Sequence, residues 1–449
     1  MAEVRVKCMI VTPMFLGGAD NSSTAEMRVP SIRGALRYWF RALAGRTCGD
    51  DLSKVRLMEE VVFGSTNQAG AVRIKIENPG HKTRGVEPAW HCGSGLAYLG
   101  GQGLFAWDRN ARRQKLSRPC LEPGGTFDLV MQGPRVELAA TYASLLMLVR
   151  FGGLGSRSRK GFGSLSAVSS DLPHEKWPNL CLPDDPSSFG QSLAYEHKWS
   201  RVAVEHLCKC LGKLSEEWSD PSLADFRGDV PGPSMALPDF PSFSCVRARI
   251  FMVTRGGARA AFGSFGDWLD PMNQLGGFLR EIRETNQRSA NPPYVSLTKD
   301  YVNTVRPFMI DPSVANKDAY ADVFGLPIHF RSSGRGAEAT VTWRKTTREH
   351  ELTGDQIDQE EMEDKRRASP IFMSFSRAEK WMCLSFLVFG SRFLPDGAEE
   401  IVIPKSGCVS DTPLVLEPAD TISLGHELFS KDWASRFGHE VVRFEEGNW

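Results

Sequence analysis

The sequence predicts an α+β chain whose first third is a single β-α-β-β-α-β unit, and three observations carry that expectation. Residues 4–12 alternate apolar and polar side chains, the period of a half-buried strand. Ile32, Leu36, Trp39, Phe40 and Leu43 recur at helical spacing and draw one apolar stripe. The elements then follow in the order strand, helix, strand, strand, helix, strand, which is the split β-α-β, ferredoxin-like arrangement.

Each element has a local cause. Ser31, after Pro30, is the expected N-cap of the first helix and Gly45 its expected stop. Residues 72–76 and 126–131 read as strands, separated by a long insert from about 78 to 123. Residues 136–151 read as a second helix and 163–168 as the closing strand. Together they make a first domain of residues 1–170. Residues 171–241 read as a connector, in which Pro-rich stretches flank a helical segment at 192–218. A second ferredoxin-like domain is expected over 242–449. Its strands are read at 245–254, 326–331, 339–343, 370–375 and 381–389, its helical patterns at 267–285 and near 298–305. The C-terminal extension reads as helical over about 420–437. Residues 351–364 hold seven acidic groups and no basic one, the mark of a solvated loop.

Composition narrows the function classes. The chain has 449 residues, with 54 Lys and Arg balanced by 54 Asp and Glu. The formal net charge of zero excludes a bulk polycation. The 26 Phe, 11 Trp and 7 Tyr exclude wholesale disorder. Apolar runs at 143–149 and 381–389 fall short of the roughly 20 residues a bilayer requires, and no signal peptide is read at the start. No membrane partner and a cytoplasmic location are expected. The 10 cysteines form no CxxC pair. His206, Cys208 and Cys210 cluster, but no fourth ligand is visible, so no metal or other cofactor is assigned.

Two segments concentrate positive charge. Between Arg28 and Arg46 stand five arginines and no acid, and Arg33, Arg37 and Arg41 fall on one helical face. Such a stripe either holds an extended anion or pairs with acids elsewhere in the fold. The second segment runs Phe151-Gly-Gly-Leu-Gly-Ser-Arg-Ser-Arg-Lys-Gly-Phe-Gly163. Five glycines, among them Gly153, Gly155, Gly161 and Gly163, stand there with Arg157, Arg159 and Lys160, and no acid. Glycines let a backbone curl and approach a ligand, and successive N–H groups form an anion-binding concavity. Ser156 and Ser158 add hydroxyl donors. The loop follows a helix, whose negative end opposes phosphate, so the basic side chains must supply the attraction. The alternative is a Gly-rich connector with incidental charge. Phe151, Phe162 and nearby tryptophans offer stacking surfaces, or else core. The insert adds Trp90, Phe105, Trp107, Arg109, Arg112, Arg113 and Lys115, a composition suited to nucleic acid or to a protein contact.

Catalytic patterns are sparse. Gly49-Asp50-Asp51 matches a polymerase tripeptide, yet it follows a helix instead of lying on a strand hairpin. No HExxH, GxSxG or EF-hand pattern occurs. His81 and His91, both in the insert, are the candidates for a general base in RNA cleavage.

Several motifs together resemble the RAMP superfamily, and in particular the first RAMP subunit of type III-B (Cmr) CRISPR effectors. They are Thr12-Pro-Met-Phe-Leu-Gly-Gly18, Met27-Arg-Val-Pro-Ser-Ile-Arg-Gly-Ala-Leu-Arg-Tyr-Trp-Phe-Arg-Ala42, and the Gly-rich loop at 152–163. Phe324-Gly-Leu-Pro-Ile-His-Phe330, Arg367-Ala-Ser-Pro370 and Phe393-Leu-Pro395 are similar to the second half of the same family. The resemblance implies two tandem ferredoxin-like (RRM-like) RAMP domains with inserts. It implies a subunit that binds guide (CRISPR) RNA and target RNA near the 3′ end of the guide, beside other RAMP subunits, and cuts neither. On that reading Arg28, Arg33, Arg37, Arg41, Arg157, Arg159 and Lys160 hold phosphates, with Ser156 and the four named glycines completing the site. An RNA-processing endoribonuclease and a purely structural adaptor are the rival readings.

Overall fold

In the computed structural model, residues 1–172 are described apart from 19, 21–23, 87–89 and 91–92, as are 234–255 apart from 245–246, and 268–284. Residues 304–345, 367–429 and 439–443 are described with short breaks. The helical connector segment, the His206 cluster, His91 and the acidic 351–364 stretch lie outside the described residues. So does most of 420–437.

The chain divides into two compact units. The first comprises Met1–Gly277, Phe372–Gly390 and Gly438–Trp449; the second comprises Phe278–Ile371 and Ser391–Phe437. The first unit opens with β1 (Ala2–Ile10), α1 (Val29–Cys48), α2 (Leu52–Phe63) and β2 (Arg73–Gly80). The insert follows, with β3 (Thr83–Arg84), α3 (Ser94–Leu104), β4 (Phe105–Asp108), β5 (Arg113–Leu116) and β6 (Cys120–Leu121). Then come β7 (Thr126–Gly133), α4 (Arg135–Phe151) and β8 (Leu165–Ser170). The sheet order is β2-β7-β1-β8, with every neighbouring pair antiparallel. The first strand thus lies between the third and the fourth of the core motif, as a split β-α-β unit requires. Alternation along β1 sends Val4, Val6, Cys8 and Ile10 into the core.

A second sheet joins β9 (Arg249–Arg255), β12 (Ile371–Ala378), β13 (Trp381–Val388) and β16 (His439–Arg443) in the order β12-β13-β9-β16. Counted along the chain this is again second, third, first, fourth. The helix Leu269–Glu284 follows β9, as α1 follows β1. In the second unit, β10 (Ile328–Arg331), β11 (Glu338–Lys345), β14 (Ala398–Pro404) and β15 (Leu414–Val415) form an antiparallel sheet. Its core gathers Val305, Phe308, Met309, Val341 and Val402. Strand β14 was not foreseen, and β16 falls in a region expected only as an extension.

Helix α1 is longer than its apolar stripe suggests. Arg28, not Ser31, is its extended N-cap, and Pro30 occupies the first turn, where its missing N–H costs nothing. Gly45 does not end it; the left-handed C-cap is Gly49, φ 60°. Gly45 serves close packing: a Cβ there would lie 2.4 Å from Ser242 Oγ. The Gly49-Asp50-Asp51 tripeptide is a helix–helix joint. Asp51 caps α2 by accepting from Ser53 N and Lys54 N, and the Asp50 carboxylate accepts from Ser244 Oγ.

Trp39, on the buried face of α1, packs against Phe372 at 5.1 Å and Phe389 at 6.1 Å between ring centroids. Phe151 and Tyr38 complete this aromatic cluster, which holds α1 and the end of α4 to β12 and to Phe389 after β13. Trp39 is 2% exposed, so Trp39→Ala should leave a large cavity. A loss of about 3–5 kcal/mol in unfolding free energy by urea denaturation is the expected result.

Candidate nucleic-acid interface

The Gly-rich loop joins α4 to β8, as its position in sequence predicts. It is stitched to the segment after β1: Ser156 N donates to Phe15 O at 3.0 Å and Gly163 N to Pro13 O at 2.9 Å. Thr12 Oγ1 donates to Gly161 O at 2.6 Å and accepts from Ser164 N at 3.0 Å. Within the loop, Leu154 N bonds Gly163 O and Lys160 N bonds Arg157 O. From the other side β12 is bonded to it, with Met373 N on Arg159 O at 3.0 Å and Phe375 N on Ser164 Oγ at 3.0 Å.

The glycines serve this construction. Gly155, Gly161 and Gly163 have φ of 90°, 84° and 64°, the left-handed region that favours glycine. A Cβ on Gly163 would stand 1.9 Å from Leu154 O, and one on Gly155 2.4 Å from Phe15 O. The Cβ of a residue at 153 would meet Phe162 O at 2.8 Å, and at 161 Phe375 Cε2 at 2.8 Å. The space that the sequence reserves for a ligand's close approach is filled by the chain itself. Gly161 and Gly163 are buried, so they shape the loop from within. Phe151 and Phe162 are buried as well, which makes them core and not stacking platforms.

The basic side chains separate into distinct settings. Arg157 is exposed, in a left-handed conformation with φ 60°. Arg118, from the insert, reaches Ser156 Oγ at 3.4 Å. The Arg159 guanidinium lies 4.5 Å above the Phe372 ring and 5.2 Å above that of Tyr38, a cation–π contact. Lys160 is half-buried and bridges to Met373. Arg28 is exposed at the start of α1.

On α1, Arg37 and Arg41 converge on one carboxylate. Arg37 Nε and Arg41 Nη1 both donate to Glu59 of α2, Arg41 at 2.9 Å. Arg37 Nη1 also donates to Gly64 O at 3.2 Å. Glu59 is 5% exposed, while its partners keep about a third of their side-chain surface in solvent. Two guanidiniums on one carboxylate leave a net charge of +1 on that face. Arg33 is half-buried, and its Nε meets no hydrogen-bond acceptor. Glu59 was missed in the sequence, although its signal is legible: it falls in register with Val55, Met58 and Val62, the buried face of α2. An acid in an apolar register requires a buried partner.

Tyr38 connects the two basic segments. Burial pushes its hydroxyl up to about 12, while Arg159 from the loop and Arg41 from α1 pull it down. Both cations therefore act on one phenol. The other chemistry-bearing candidates stay apart. His81 is half-buried beside Gly125. Among the described residues no group of three or more His, Cys, Asp or Glu side chains could hold a metal. No helix of the described residues is long and apolar enough to cross a membrane.

Comparison with known proteins bears directly on this unit. Residues 7–166 match the model of the RAMP superfamily. This segment is similar to a RAMP-superfamily domain. A stretch of 145 residues is 37% identical to "CRISPR system Cmr subunit Cmr1-1" of Pyrococcus furiosus, covering 32% of this chain and 41% of that protein. A stretch of 168 residues is 29% identical to "CRISPR system Cmr subunit Cmr1-2" of the same organism, over 34% of this chain and 89% of that protein. The chain thus matches about two fifths of the first relative's length. In fold it is similar to the apo crystal structure of Cmr1 from P. furiosus, with TM-score 0.53 and 18% identity over the whole of both chains. The RAMP match takes in the end of β1, helices α1 and α4, and the Gly-rich loop.

Two measurements check this geometry. Glu59→Gln should cost about 1–3 kcal/mol in denaturant titration, because the charge that two half-buried guanidiniums share is lost. For Tyr38 the folded state holds the proton to about pH 12, while an unfolded tyrosine releases it near 10.0. Its contribution to stability is full below pH 10 and lost as pH rises to 12. Tyr38→Phe should flatten that alkaline decline in melting temperature.

Proposed function

We propose that this chain is a non-catalytic, RNA-binding subunit of a type III-B (Cmr) CRISPR effector, cytoplasmic and acting in antiviral defence. It contacts guide RNA and target RNA near the 3′ end of the guide and sits beside other RAMP subunits. Two tandem ferredoxin-like domains, 1–170 and 242–449, form it, joined by the 171–241 connector. The repeated strand order of the two sheets supports the tandem reading. The similarity to proteins named as CRISPR system Cmr subunits supports a place in that complex.

One observation carries the RNA-binding reading above the others. The Gly-rich loop is held by its own backbone contacts, and this leaves Arg157 exposed in a conformation that arginine rarely adopts. Arg118 bonds the adjacent Ser156, and Arg159 follows two residues on. A rigid loop that presents guanidiniums suits phosphate, since the planar fork can bond two oxygens. Such contacts read the backbone and not the base sequence. Arg28, Arg33, Arg37 and Arg41 extend the basic surface along α1, with Glu59 holding two of them in place.

Phosphate binding by side-chain cations has a salt signature. Affinity of the full chain for single-stranded RNA should fall with salt, at about 0.7 log units per contact per log of salt concentration. The Arg157→Ala, Arg159→Ala, Lys160→Ala triple variant should lose affinity and shed about two units of that slope. Salt-independent binding would sink the proposal. RNA recovered intact after the titration is part of the same expectation; cleavage abolished by His81→Ala would point instead to the endoribonuclease.

A further inference from the structure

The insert carries a feature that the basic loop does not use. Strands β4 and β5 form an antiparallel hairpin in which Phe105 pairs with Leu116 and Trp107 with Gln114. Phe105 and Leu116, at its base, are buried. Two residues further along the strand, about 7 Å on, Trp107 is 58% exposed. An indole is the largest apolar side chain, and more than half of this one lies in water.

Asp108 closes the tip. Asp108 Oδ1 accepts from Asn110 N and Ala111 N, both at 3.0 Å, and Lys115 Nζ lies 3.8 Å from its carboxylate. The Ala111 N–H, with the Asn110 N–H and then Lys115 and Arg113, holds that carboxyl below its ordinary range. It stays ionised and keeps the turn closed. Arg109, Arg112 and Arg113 are all exposed around it. Arg112 sits at φ 48°, where glycine or asparagine would be less strained. Residues 107–115 thus hold four cations against one carboxylate.

The hairpin is continuous with the Gly-rich loop. Phe105 packs on Phe162 at 6.4 Å, Arg118 bonds Ser156, and a Cβ on Gly101 would lie 3.4 Å from Arg157 Nη2. An RNA strand held at Arg157 therefore has the hairpin base as its immediate neighbour. We propose that the β4–β5 hairpin is a second contact for single-stranded RNA, with an unpaired base stacked on the Trp107 indole and the flanking phosphates on Arg109, Arg112 and Arg113. This rests on the RNA-binding reading given above and adds to it a site that recognises unpaired bases. Stacking on an indole tolerates any base, because every base has a π face.

Titration of the full chain with a fluorescently labelled single-stranded RNA, at several salt concentrations, tests the assignment. Trp107→Ala should weaken binding by about 5- to 150-fold, the range that loss of one base–aromatic stack gives. Trp107→Phe should restore most of it, and both variants should keep the wild-type salt slope. The Arg109→Ala, Arg112→Ala, Arg113→Ala variant should instead lower the slope by about two units. Because Trp107 is exposed, a thermal melt of each variant should match the wild type. Unchanged affinity in Trp107→Ala, with the loop variant weakened, overturns the hairpin's role and leaves the RNA reading standing. No affinity in the wild type overturns both. RNA affinity intact in Trp107→Ala, with assembly beside a neighbouring subunit lost, assigns the hairpin to a protein contact and overturns the proposal.

Discussion

The arrangement depends on one strand, β12, bonded to a loop that lies more than 200 residues earlier in the chain. Ser374 Oγ donates to Arg150 O at 2.6 Å, Met373 N to Arg159 O, and Phe375 N to Ser164 Oγ. The same strand supplies Phe372, which lies under the Arg159 guanidinium and against Trp39. On the opposite side the loop is bonded to residues 12–15. A Gly-rich segment loses more backbone entropy on ordering than any other. Here that cost is offset by hydrogen bonds from two flanks, each satisfying a polar group that burial would otherwise strand. The result is a loop whose shape belongs to the fold.

Formal neutrality averages a pattern that is segregated along the sequence. Glu59 takes up one of the two charges that Arg37 and Arg41 bring, and it does so from a buried position. Without it two guanidiniums one helical turn apart would repel by a few tenths of a kcal/mol. With it the pair keeps a net positive charge and a set spacing. The Arg159 guanidinium is settled over the aromatic faces of Phe372 and Tyr38.

Local signals were legible where local physics decides. Alternation read out β1, and the apolar stripe read out the buried face of α1, because each depends on neighbours within a few residues. The first sheet's order followed from the sequence of elements alone. The errors share one cause: the deciding partner is remote. Gly45 reads as a helix stop until Ser242 is seen packed against it. The loop glycines read as room for a ligand until Phe15, Leu154 and Phe375 occupy that room. Phe151 and Phe162 read more readily as core than as platform, and their burial against remote aromatic partners bears out core. The second sheet was harder because its second and third strands lie beyond the β10 and β11 insertion, and its fourth beyond β14 and β15. Glu59 could have been found, since an acid in register with Val55, Met58 and Val62 breaks the helix's own pattern.

Backbone strain separates the two readings that spacing leaves open for the arginines. Among the described residues, four that are not glycine have positive φ: Asp50, Asn78, Arg112 and Arg157. Asp50 and Asn78 belong to the residue types that tolerate this region, and each uses its side chain locally, on Ser244 and on Asp128. Arginine has no such intrinsic tolerance. Both strained arginines are exposed, one on the Gly-rich loop and one at the hairpin tip. A strained residue persists where surrounding structure enforces it, and such residues cluster at binding sites. An incidental charge would sit as well on a neighbouring position in relaxed backbone. That the guanidiniums occupy the strained positions, on two adjoining elements, favours a surface shaped to hold an anion over a solvated basic face.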